Sequence, residues 1–141
     1  MSPTKKKEGF SAEEKAAMRA RAKELKAAED GETAVREALA KMTPEDRKLG
    51  ERIHVLVKET APELVPKTWY GMPAYANEDG KVICYFKNAG KFKSRYSELG
   101  FNDAANLDDG AMWPIVYALT KLGKADEARI AKLVQQAASR R

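Results

Sequence analysis

Between Lys67 and Phe101 the chain places eight aromatic side chains: Trp69, Tyr70, Tyr75, Tyr85, Phe86, Phe92, Tyr96 and Phe101. They are interleaved with Gly71, Pro73 and Gly80 and with basic Lys91, Lys93 and Arg95. Rings and β-branched residues punctuated by turn formers suit short antiparallel strands. Thr68 to Tyr75 reads as one strand, bent at Gly71 and at Pro73, because proline cannot donate to a ladder. Asn77-Glu78-Asp79-Gly80 is a turn, and Val82 to Phe86 returns as the second arm of a hairpin. Asn88-Ala89-Gly90 leads into a strand from Lys91 to Leu99. There Lys91, Lys93 and Arg95 alternate with Phe92, Ser94 and Tyr96, so one side is basic and the other packed. Asn102 to Gly110 is a loop, and Met112 to Leu119 is a fourth strand.

Helical signals flank this region. Ser11 stands three residues before Glu14, the spacing of a capping box. Strong helix formers follow to about Glu29, where Asp30-Gly31 ends the run. Its apolar residues are mostly alanine, so it buries little area, and Val35, Leu39 and Met42 suggest a second short helix or a continuation. Thr43-Pro44-Glu45-Asp46 is a stronger start: a cap, a proline at the first turn and acids at the positive end of the dipole. Leu49, Ile53, Leu56, Val57 and Thr60 then form one stripe, closed by Pro62. Gly123 precedes a last helix to about Ser139, with Ile130, Leu133, Val134 and Ala137 inward.

The order helix, strands, helix predicts an α+β chain. The expectation is a two-layer sandwich: an antiparallel sheet of about four to five strands, helices on one face, and an extra N-terminal helix. Residues 1–10 read as a basic tail, 11–42 as a helical extension and 43–141 as the α+β domain. The strands are apolar on both sides, Val82, Cys84 and Phe86 opposing Ile83 and Tyr85. Something should therefore cover part of the second face: the first helix, a second subunit or a ligand.

With 43% hydrophobic and 33% charged residues, the composition is that of a globular domain. The single cysteine, Cys84, rules out an internal disulfide and suits a reducing compartment. No apolar run approaches membrane length, and Met1 to Lys7 does not read as a secretory leader. The expected location is the cytoplasm, with no membrane partner, as a monomer or weak homodimer. The charge of +5, from 26 basic against 21 acidic residues, would attract polyanions only mildly.

No nucleophile, base and orienting group can be assembled, so the chain reads as a non-enzyme. His54 reads as a partly exposed, ordinary side chain and Cys84 as an inert buried thiol. One of each excludes a conventional zinc site. Asp103, Asp108 and Asp109 are weak candidates for a hard cation against the alternative of a solvated loop. The rings read either as core or as the lining of a pocket for a small ligand or a protein partner. That surface would comprise Trp69, Tyr70, Pro73, Tyr75, Lys93, Arg95, Tyr96 and Trp113. The alternative is polyanion or nucleic-acid binding by the basic strand face with the Lys5 to Lys7 and Arg140-Arg141 tails.

Pro62-Glu63-Leu64 followed by Lys67-Thr68-Trp69-Tyr70-Gly71-Met72-Pro73-Ala74-Tyr75 resembles the signature of the bacterial YdhG-like domains. Phe92-Lys93-Ser94-Arg95-Tyr96, Leu107-Asp108-Asp109-Gly110 and Met112-Trp113-Pro114 resemble one subgroup, over about residues 43–138. The resemblance implies a frataxin-like fold and a relation to intracellular iron chaperones. Iron, the only cofactor in view, comes from that resemblance alone. Glu45, Asp46, Glu51, Glu59 and Glu63 on the helix where frataxins carry carboxylates are interspersed with Arg47, Lys48, Arg52 and Lys58.

Overall fold

The computed structural model describes residues 10–140; the tail at Lys5 to Lys7 and Arg141 lie outside the described residues. The elements are α1 (Ala12–Ala40), α2 (Pro44–Thr60), β1 (Val65–Trp69), β2 (Met72–Ala76), β3 (Val82–Lys87), α3 (Ala89–Phe92), β4 (Ser97–Phe101), β5 (Val116–Leu119) and α4 (Lys124–Ala138). All five strands form one open antiparallel sheet in chain order, β1-β2-β3-β4-β5. The chain is α+β. No helix is long and apolar enough to cross a membrane among the described residues.

Helix starts follow local chemistry. Ser11 Oγ accepts from the Glu14 N–H at 3.0 Å, and the Glu14 carboxylate accepts from the Ser11 N–H at 2.8 Å. Thr43 Oγ1 accepts from the Asp46 N–H at 3.3 Å, with Pro44 in the first turn. Asp46 and its neighbour Glu45 also complement the dipole there. Asp126 closes the start of α4 by accepting from the Gly123 N–H at 2.9 Å.

Four elements differ from the sequence expectation. Asp30-Gly31 does not end the first helix: α1 runs unbroken to Ala40. A Cβ on Gly31 would lie 1.8 Å from the Pro66 carbonyl oxygen, so glycine is what lets α1 lie against β1. Thr68 to Tyr75 is not one bent strand but two, β1 and β2, joined at Tyr70-Gly71 with φ of +51° and +77°. Two left-handed residues in a row make the tight turn whose twist matches a hairpin. Lys91, Lys93 and Arg95 are not on a strand: Ala89–Phe92 is a helical turn and β4 begins only at Ser97. The last strand is likewise shorter, starting at Val116 rather than Met112.

Strand parity divides the side chains. Tyr75, Cys84, Phe86, Leu99 and Phe101 are fully buried and join Ile53, Leu56 and Val57 of α2 and Ile130, Val134 and Ala137 of α4 in the core. The second half of α1 docks there as well: Leu39 meets Gly50 of α2 so closely that a Cβ would lie 2.4 Å from its methyl. Lys67, Trp69, Ala74, Tyr85, Gly100 and Val116 point the other way, by their register along the ladders.

Candidate functional site

The rings of that opposite face gather at the β1–β2 turn. Trp69 and Tyr85 lie 5.1 Å apart between centroids, and Tyr70 meets Trp69 edge-on at 4.9 Å. Tyr85 lies across Gly100, where a Cβ would come within 2.1 Å of its ring. Glycine on β4 is thus the floor that lets Tyr85 lie flat. Burial and the nearby Glu98 charge both push the Tyr85 phenol up. Tyr70 is 81% exposed although its backbone is left-handed, a conformation that costs a non-glycine residue about 1–2 kcal/mol. Strain and ring exposure coincide at one residue.

The basic turn stands beside these rings. Asp46, buried on α2, accepts from Asn88 Nδ2 at 3.2 Å and from the Gly90 N–H at 2.8 Å. Ser97 Oγ accepts from the Ala89 N–H at 2.9 Å. These bonds hold α3 in place and leave its lysines outward. Lys87 and Lys91 flank the Phe92 ring at 4.8 and 5.5 Å, and Arg95 lies 5.2 Å from the Tyr96 ring. Lys91 Nζ reaches the hairpin turn, 2.7 Å from where a Gly71 Cβ would stand.

Charge is concentrated accordingly. The segments 65–76 and 87–97 contain Lys67, Lys87, Lys91, Lys93 and Arg95 and no acidic residue. They hold five of the 26 basic and none of the 21 acidic residues, so the remainder of the chain is electrically balanced. Glu98 stands on the ring face as well, across the ladder from Lys87 and beside Tyr85.

Of the residues singled out in the sequence, the fold brings Trp69 and Tyr70 together, and Lys93, Arg95 and Tyr96 follow the helical turn Ala89–Phe92 whose Lys91 reaches Gly71. Pro73 and Tyr75 are buried in the core instead. Trp113 packs against the core from the loop before β5. Asp103, Asp108 and Asp109 lie in the 102–115 loop, and among the described residues no three His, Cys, Asp or Glu side chains gather to hold a metal ion. Sequence reasoning missed Lys67, Lys87, Tyr85 and Gly100 as parts of this surface; only the period-two alternation from Trp69 to Lys67 hinted at it.

His54 is buried, at 5% exposure, and not the partly exposed residue its sequence suggested. Its Nε2 lies 2.8 Å from Glu32 of α1 and its Nδ1 2.9 Å from the Tyr75 hydroxyl. A carboxylate only accepts, so Nε2–H donates to Glu32; in the neutral ring Nδ1 accepts from Tyr75. Arg36 and Lys58 reach the same carboxylate at 2.8 and 3.1 Å. Partial burial works against its charge, but the hydrogen bonds from His54 and Lys58 hold Glu32 below its ordinary value. Burial first, then Cys84 and Glu32, push the Tyr75 phenol well up, and burial takes the Cys84 thiol to about 12. A thiol so high is not a nucleophile, and the enclosed relay fastens α1 rather than meeting a substrate.

Compared with known proteins, the chain matches no family model, no curated protein and no solved structure.

Proposed function

We propose that this chain is a non-catalytic binding domain for single-stranded nucleic acid. Bases stack on Trp69, Tyr70 and Tyr85, and phosphates pair with Lys67, Lys87, Lys91, Lys93 and Arg95. The observation that carries the reading is that one hairpin turn carries both the exposed Tyr70 ring, edge-on to Trp69, and the Lys91 ammonium. Sequence-tolerant platforms combine these two elements, since every base has a stacking face and every nucleotide a charge. The basic turn, rather than a basic strand, supplies the charge in this reading, and the cytoplasm is the compartment that goes with it.

The YdhG-like resemblance adds a proposal about architecture: a frataxin-like, two-layer arrangement with the helices on the Tyr75 side. It also carries the iron role, which is not part of this reading.

Anisotropy of a labelled single-stranded oligonucleotide against rising salt tests the proposal. Binding should weaken along a log–log line. Replacing Lys91, Lys93 and Arg95 together by alanine should reduce its slope by roughly 2, at about 0.7 per phosphate contact. Binding that ignores salt, or a slope unmoved by the triple variant, would remove the proposal.

A further inference from the structure

We infer that the groove beside the hairpin turn takes the ribose and phosphate of one nucleotide, so that the domain prefers single-stranded RNA to DNA; this rests on the nucleic-acid reading above. The groove has a volume of about 650 Å³ and lies between the end of α1, the β1–β2 turn and α3. That is within the usual range for small-ligand sites. Its polar groups come from Glu37, Lys41, Thr43, Thr68, Asn88 and Lys91.

Asn88 is 5% exposed. Its amide nitrogen donates to Asp46, while among the described residues its side-chain oxygen accepts no hydrogen bond. A buried acceptor left in that state favours any ligand that brings a donor. Glu37, on the exposed side of α1, takes part in no ion pair among the described residues and is a second free acceptor. Lys41 and Lys91 are likewise without carboxylate partners there, and they supply positive charge.

Acceptors for hydroxyl groups beside cations for a phosphate are the complement of a ribose phosphate. Gly71 lines the same groove, and its chain neighbours Tyr70 and Trp69 carry the rings. Thr68, on the Tyr75 side of the ladder, lines it too, so a strand seated here passes round the exposed Tyr70 turn to reach Trp69 and Tyr85. The 2′-hydroxyl is the one group of the ribose that DNA lacks. Without it, Asn88 and Glu37 gain no donor, and the Glu37 charge faces the strand uncompensated.

The test uses the full chain with fluorescent eight-nucleotide oligouridylate, oligodeoxyuridylate and 2′-O-methyl-oligouridylate at one salt concentration. RNA should bind roughly fivefold more tightly than either analogue, the worth of about one net hydrogen bond. Glu37→Ala keeps a good helix former at an exposed position and should abolish most of that preference without weakening DNA binding. Asn88 is avoided as a variant because it also bridges to Asp46. Equal binding of all three oligomers, or a preference untouched by Glu37→Ala, overturns the groove inference and leaves the platform standing. Failure of all three to bind removes both.

Discussion

Trp69 and Tyr75 stand on adjoining strands of one hairpin, yet the sheet presents them to opposite surroundings. On the Tyr75 side the buried polar groups at its centre answer one another: the hydroxyl meets His54, His54 meets Glu32, and Glu32 meets Arg36 and Lys58. On the Trp69 side Lys67 and Lys87 stand among half-buried rings with Glu98 beside them, and at the turn that ends the hairpin a strained tyrosine is left exposed. The first arrangement has spent its interactions on holding the fold. The second keeps them for something outside the chain, and aromatic content alone would not have told the two apart.

The widest difference should appear between the two faces in stability. Phe86→Ala, in the fully buried core, should cost about 3–5 kcal/mol in urea denaturation. Trp69→Ala, at a half-buried ring, should cost only about 1–2 kcal/mol, in proportion to the smaller area it covers. The same Trp69 variant should weaken oligonucleotide binding by about 1–3 kcal/mol, as loss of a stacking ring does. Equal stability losses for the two would erase the distinction.

Next in size is His54→Ala, which leaves the Tyr75 hydroxyl and the Glu32 carboxylate without their shared partner. A loss of about 2–4 kcal/mol is expected from the cavity and the unpaired groups together, with oligonucleotide affinity unchanged. A fall in affinity would show that the two faces are coupled.

Acid should act on the closed face through Glu32. Its folded value is depressed below the ordinary 4.5, so its contribution is present above that pH and is lost as pH falls through the lowered value. Glu32→Gln should flatten that limb of a stability-against-pH curve; an unchanged limb assigns the acid sensitivity elsewhere.

The smallest effect should have the opposite sign. Tyr70→Gly relieves a left-handed tyrosine and should raise stability by up to about 1 kcal/mol, while oligonucleotide binding weakens. Improved stability with undiminished binding would take Tyr70 out of the site.

Much of the closed face was legible. Thr43-Pro44 and Gly123 mark helix starts correctly, and Asn77 to Gly80 is the turn expected. What escaped depends on contacts distant in sequence. Gly31 has the local chemistry of a helix stop, and only the Pro66 carbonyl explains why α1 continues through it. Lys91 to Tyr96 alternates as a strand would, but the Asp46 carboxylate captures Gly90 and winds the segment into a helical turn. The rings of the open face were visible, but the reach of Lys91 to Gly71 was not. No propensity rule places a tyrosine first in a tight left-handed turn, so Tyr70-Gly71 read as a bend.

Residues 12–27 of α1 are exposed on every side, a length of about 24 Å at 1.5 Å per residue. Fastened only beyond Ala28, this rod has protection against solvent that is graded along its length. Amide protons near Ala16 should exchange with deuterium far sooner than those near Val35, with the gradient steepest around Gly31. A protease should trim the outer turns while the sheet keeps its dichroism.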